Sequence, residues 1–162
     1  MQDHAVNAAR PTTLELEHFL PYRLSVLSNR VSGAIARVYS ERFDLGVTEW
    51  RVMAVLGRYP GLSASEVAQR TAMDKVAVSR AVASLLDSGR LERETHGDDR
   101  RRSVLRLSAA GQAIHREVAP MAIAFEQRLL AGMDAAERAL LFRLLDRLDE
   151  LELQAEAELS VP

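Results

Sequence analysis

Along most of this chain, apolar residues recur at steps of three and four, the period of a helix with one buried side. Leu24, Leu27, Val31, Ile35 and Val38 form one such stripe. Pro21 suits a first turn, so the pattern predicts a helix from about Pro21 to Arg42 with that stripe buried. Ahead of it, TTLELEHFL predicts a short helix, since Thr12 and Glu15 have capping-box spacing. FDLG interrupts the pattern. Thr48 then opens a helix through Trp50, Val52, Met53 and Leu56, and GRYPG ends it. Ser63 and Glu66 repeat the capping-box spacing, which predicts a short helix over about Ser63 to Arg70. Thr71 to Met73 separate it from a second helix that starts near Asp74 and stops at Gly89. Two short helices joined by such a turn match the helix-turn-helix unit.

The period then changes to two. LERET and SVLRLS alternate apolar and polar residues around HGDDRRR, which reads as a β-hairpin with arginines at its tip. Ser108 is placed to cap a long helix reaching about Ala131, with a bend expected at Pro120. Asp134 and Glu137 cap a final helix. In that helix Leu141, Leu144, Leu148, Leu151 and Ala155 follow alternating three- and four-residue steps, the spacing of a coiled-coil seam. A seam shared by two chains is the preferred reading; a terminal helix packed on its own domain is the alternative. The fold class expected is mostly α with a small β-hairpin wing. Its divisions are an N-terminal tail and helix (1–47), a winged helix-turn-helix (48–108) and closing helices (109–162).

Composition narrows the class. At 162 residues, with 48% hydrophobic and 27% charged residues, the chain suits one soluble globular domain with a sizeable core, or a core plus an oligomerisation arm. With no cysteine, it can form neither disulfides nor thiolate–zinc sites. No apolar run approaches the ~20 residues of a membrane span, and MQDHAVNAARPTT lacks a basic-then-apolar signal. A cytoplasmic location without membrane association is expected. The net charge is −2, yet Ser63 to Ser108 carries nine Lys/Arg against seven Asp/Glu. The basic part therefore coincides with the helix-turn-helix and hairpin.

On a 100°-per-residue wheel, Val78, Val82 and Leu85 gather on the inner side of the second helix. Val76, Arg80, Ala83, Ser84 and Asp87 lie opposite, with Ala77 and Ser79 on the flanks. Merely solvated faces are more often filled with Glu and Lys. Small side chains around one arginine let a backbone approach DNA, so that side chains reach base edges and Val76 meets a thymine methyl. A charge run is usually a solvated face, but a hairpin tip bearing Arg100, Arg101 and Arg102 also has the shape to enter a minor groove. Asp99, two residues from Arg101, has the spacing to orient that guanidinium.

DRRRSVLRLS (Asp99 to Ser108) resembles the wing signature of the MarR family of winged helix-turn-helix regulators, Asp-x-Arg-x-x-x-Leu-x-Leu-Thr. Asp99, Arg101, Leu105 and Leu107 fit, and Ser108 replaces the threonine while keeping a hydroxyl. MDKVAVSRAVASLLDSGRLER resembles the family's recognition helix, and the order of elements agrees over nearly the whole chain. The resemblance implies a homodimer, closed by its N- and C-terminal helices, that binds pseudo-palindromic double-stranded DNA as a repressor. By position it makes Arg101 the minor-groove arginine and Asp99 its partner. It puts Ser79 and Arg80 on the DNA-facing helix, with Lys75 a phosphate contact in the first turn. A winged fold used for protein contacts instead of DNA is the alternative.

Family members commonly hold an effector beside their first, second and fifth long helices. Here that implies His18, Tyr22, Arg23, Trp50 and Arg51, cations beside aromatic rings, which suit a small aromatic carboxylate. FLPYRLSVLSN is similar to members that govern aromatic-acid breakdown, nicotinate-type pathways included, so a hydroxynicotinate-like acid is one expectation. Tyr22 and Trp50 as plain core, with Arg51 in a surface ion pair, is the competing reading. His4, His18, His96 and His115 are scattered, and neither a phosphate-binding glycine loop nor a nucleophile elbow occurs. No enzyme activity, metal or cofactor is expected.

Overall fold

A computed structural model describes residues 13–95 and 103–159. Helices α1 (Leu20–Phe43), α2 (Val47–Arg58), α3 (Ala64–Thr71) and α4 (Lys75–Asp87) precede the hairpin strands β1 (Leu91–Thr95) and β2 (Ser103–Leu107). Helices α5 (Ala109–Leu129) and α6 (Ala135–Leu159) follow. Two compact units are present, Met1–His115 and Arg116–Pro162.

Local chemistry sets most of the boundaries. Ser63 accepts the Glu66 N–H at 3.3 Å and returns its own N–H to the Glu66 carboxylate at 2.7 Å, closing the expected capping box of α3. Asp74 accepts from the Ala77 N–H at 2.9 Å, and Gly89, at φ +69°, turns the chain out of α4. Asp134 and Glu137 cap α6 reciprocally at 2.8 and 2.9 Å. At α2 the expectation shifts by one residue. Gly46, ahead of Thr48, is the cap, and it donates its N–H to Glu49 at 2.8 Å. Without a side-chain acceptor at Gly46, only the acid three residues on serves that end. α5 continues through Pro120.

Two expectations change. TTLELEHFL forms only a 3-10 turn at Leu16–His18, with no residue buried, because so short a piece cannot sustain a helix without packing; Thr12 lies outside the described residues. The stripe on α1 is not buried throughout. Val31, Ile35 and Val38 are half-buried, but Leu24 and Leu27 remain 42% and 59% exposed, and the fully buried residue of α1 is Tyr39. Periodicity assumes a core along the whole helix, whereas only the C-terminal half of α1 lies over one. On α6, likewise, Leu141 and Leu148 are half-buried while Leu144 and Leu151 stay exposed. Leu140, Phe142 and Leu145 are exposed as well. The apolar arc spans about 200° at 100° per residue, wider than a two-helix seam.

The core of the first unit joins Val52, Met53 and Leu56 of α2, Val67 and Ala68 of α3, and Val78, Ala81, Val82 and Leu85 of α4. The antiparallel hairpin covers it in the register Leu91↔Leu107, with Leu91, Leu105 and Leu107 inward. Leu62 pairs with Leu105 on the other side of β2, where Gly61 N–H donates to the Leu105 carbonyl (2.9 Å) and Leu105 N–H to the Leu62 carbonyl (2.8 Å). This isolated bridge anchors the hairpin beyond its own ladder.

Ser108 and Arg90 close the unit. Ser108 donates its hydroxyl to the Gly89 carbonyl at 2.6 Å and accepts the Gly111 N–H at 3.0 Å. Arg90 donates its backbone N–H to the Leu85 carbonyl and accepts from Ser108 N–H. Its guanidinium donates to the Phe43 and Asp44 carbonyls at the end of α1, a C-terminal cap supplied from another element. Gly111 packs so closely that a Cβ there would lie 2.0 Å from the Arg90 carbonyl oxygen. Gly111→Ala is therefore expected to cost about 2–3 kcal/mol through overpacking. Gly132→Ala, which meets nothing within 4 Å, should be near neutral. Thermal denaturation of the two variants checks the contrast.

Candidate nucleic-acid interface

Burying Val78, Ala81, Val82 and Leu85 turns the opposite side of α4 to water. Lys75, Val76, Ser79, Arg80, Ala83, Ser84 and Asp87 are all exposed, and Val76 is 57% exposed. A β-branched apolar side chain in water at the start of a helix gains nothing from that position in the isolated chain. The face is otherwise slim, and its cations Lys75 and Arg80 lie in its first half. Ser84 differs from the rest. Its hydroxyl donates to Glu49 of α2 at 2.6 Å, so it ties α4 to α2 as well as facing outward. Glu49 was not among the residues singled out from sequence; its only signal was its position three residues after Gly46.

On the hairpin's outer face, Arg106 donates Nε–H to Glu94 across the strands at 3.0 Å. Asp99, Arg100, Arg101 and Arg102 lie outside the described residues, so the tip itself is not described. Elsewhere in the same unit, the Arg58 and Arg70 guanidinium groups lie 5.1 and 4.2 Å from the ring centroid of Tyr59, which is exposed.

The five residues expected around an effector fall in two places. His18, Tyr22 and Arg23 line a concavity of about 670 Å³ along the first turns of α1, together with Leu20, Leu24 and Arg30. His18 Nδ1 lies 3.3 Å from Glu15. Trp50 and Arg51 belong to a different group. Trp50 packs between Tyr39 and His115, at centroid distances of 5.6 and 5.7 Å, and Arg51 donates to Ser32 Oγ at 2.7 Å. The seventeen steps from Tyr22 to Tyr39 span roughly 25 Å of helix, which separates the two groups.

Tyr39 and His115 complete the aromatic group. Burial pushes the Tyr39 hydroxyl above its usual range, with the Arg51 charge opposing it. Burial pushes the His115 imidazole down. Its ring lies against α2, where a Cβ on Gly57 would come within 2.4 Å of Nε2. Gly57 lies inside α2, which runs on to Arg58, although GRYPG was expected to end the helix before it. Nothing near His115 in sequence identified it as the partner. Among the described residues no cluster of His, Asp and Glu suits a metal, and no helix is long and apolar enough to cross a membrane.

Residues 43–102 match the family model described as MarR family. A MarR/EmrR family transcriptional regulator from Acinetobacter sp. ADP1 superposes with a TM-score of 0.80 at 28% identity, over 87% of this chain and 99% of that one. The matched segment is of the MarR type, and the fold is the winged helix-turn-helix of these regulators. It is also similar, at 28% identity over 133 residues, to an HTH-type transcriptional repressor of Mycobacterium tuberculosis, covering 80% of this chain and 91% of that protein. The PcaV transcriptional regulator from Streptomyces coelicolor, solved in complex with its natural ligand, superposes with a TM-score of 0.67 at 25% identity, over 85% and 96% of the two chains. The chain spans between 63% and 91% of the length of the curated relatives it matches. Regulators of this family bind DNA as dimers, and some bind small molecules.

The lowered pKa of His115 fixes the sign of a pH effect. The folded state holds this imidazole neutral more strongly than the unfolded state does, so below about pH 6.5 the unfolded chain binds the extra proton. Stability contributed by this packing is present above that pH and declines as pH falls toward 5. The thermal midpoint of the wild type should therefore drop more between pH 7.5 and 5.5 than that of His115→Gln. Equal drops would detach the effect from this ring.

Proposed function

We propose that this chain is a cytoplasmic transcriptional repressor that binds a pseudo-palindromic operator as a homodimer and leaves it when a small aromatic carboxylate binds. The observation that carries the reading is the slim, exposed side of α4, with Val76, Ser79 and Arg80 outward beside Lys75, within the segment that matches the MarR model. Such a face fits a major groove, where Arg80 and Ser79 hydrogen-bond base edges and Lys75 meets phosphate. The hairpin tip supplies Arg100, Arg101 and Arg102 to the neighbouring backbone and minor groove, with Asp99 orienting Arg101. Ser84 contributes at the edge of the face.

Dimerisation accounts for the apolar residues left in water. Leu20, Leu24 and Leu27 on α1, and Leu140, Leu144 and Leu151 on α6, are what a second copy would cover. For the effector, the concavity along α1 offers Arg23, Arg30 and His18 to a carboxylate and Tyr22 to a ring. Hydroxynicotinate-like acids have this chemistry. Trp50 and Arg51, engaged with Tyr39, His115 and Ser32, form a separate group and do not line this concavity. Release requires the ligand to prefer a dimer geometry that the operator does not.

Full-length protein is expected to retard the DNA upstream of its own gene in a gel shift. Arg101→Ala should weaken that complex about tenfold while sedimentation still reports a dimer. No retardation at low salt would overturn the DNA reading. Separately, benzoates and hydroxypyridine carboxylates at saturating concentration should raise the thermal midpoint by a few degrees, and Arg23→Ala should abolish the rise. A flat response across the panel removes the aromatic-acid effector.

A further inference from the structure

We propose that Glu49 is the positioning residue that sets how α4 meets DNA and that suppresses binding to unrelated sequence. This rests on the DNA-binding reading above. Glu49 belongs to α2, yet its carboxylate is held at the outer side of α4 by two hydrogen bonds. One oxygen accepts the Gly46 N–H at 2.8 Å and the other accepts the Ser84 hydroxyl at 2.6 Å. Both oxygens are occupied and both partners come from the local fold, so the negative charge has one fixed location, beside Ser84.

That location divides the face of α4 by charge. Its first half carries Lys75 and Arg80; its second half carries Asp87, with the Glu49 carboxylate alongside. Arg80 and Ser84 are separated by only about 6 Å along the helix axis, so attraction and repulsion act within one groove width. Phosphates are negative on every sequence, and non-specific binding depends almost entirely on them. A helix laid flat along the backbone would bring Glu49 and Asp87 against phosphate. Entry by the first half keeps the anions away from the backbone and leaves base contacts to Val76, Ser79 and Arg80. The acids thus cost little in the specific complex and act against the non-specific one.

Glu49→Gln tests this cleanly, because a glutamine can still accept from Gly46 and donate to the Ser84 oxygen while carrying no charge. Affinity of the full-length protein is measured for the operator duplex and for a random duplex of equal length over a salt series. Glu49→Gln should tighten random-duplex binding about three- to tenfold at low salt, with a smaller change on the operator and the thermal midpoint unchanged. Asp87→Asn should move the same ratio in the same direction. An unchanged operator-to-random ratio in both variants overturns the proposal while leaving DNA binding in place. So does a ratio that moves only in Glu49→Ala, together with a lower midpoint, since that is the mark of a lost cap alone. Wild-type protein that binds neither duplex overturns the underlying reading instead.

Discussion

The geometry of the DNA-binding unit depends on one residue, Arg90, and on the backbone around it. Its N–H closes on the end of α4, its carbonyl accepts from Ser108 at the start of α5, and its guanidinium caps the carbonyls that end α1. Immediately beyond it, β1 begins. Four elements therefore take their direction from one position between Gly89 and Leu91. Gly111 is small because α5 must lie on the Arg90 carbonyl, and Ser108 carries a hydroxyl because two backbone groups there need a partner. Carbonyls at a helix end and N–H groups at a helix start cannot be left dry and unpaired. The junction satisfies both kinds with a single side chain and a single serine.

Rigidity at that junction suits a molecule that must present two features at fixed separation. The slim side of α4 and the β-hairpin leave the core from adjacent points, and Leu62 pins β2 from its far side. Their relative placement is then a property of the packed unit and owes little to the loops. The link between Ser84 and Glu49 extends the same logic to α2, whose first turn is locked to α4. Movement of either helix would carry the other with it, which is the kind of coupling a regulator needs.

Along α1 the chemistry changes from one end to the other. Its C-terminal half, with Tyr39 beneath Trp50 and His115 beyond, is part of the dry core. Its N-terminal half lines an open concavity with Tyr22, Arg23 and Arg30 and keeps several leucines in water. One helix thus serves the fold at one end and presents cations, aromatic surface and uncovered apolar side chains at the other. Its apolar stripe runs on through both, and so does not reveal where burial stops.

Several features were legible in the sequence because they are decided within a few residues. Ser63 with Glu66, Asp74 ahead of α4, Gly89 after it, Ser108 ahead of α5 and the alternation of β2 depend on local hydrogen bonds and period, which neighbours in the chain carry with them. The outward side of α4 was legible too, since three buried aliphatic residues on a wheel orient all the others. Only the tertiary structure decided which parts of α1 and α6 are covered and that Trp50 and Arg51 stand apart from Tyr22 and Arg23. Only folding, too, brought His115 onto Gly57 and Glu49 onto Ser84. Each of these joins residues far apart in the chain or depends on what lies opposite a surface, and a one-dimensional pattern holds no record of either.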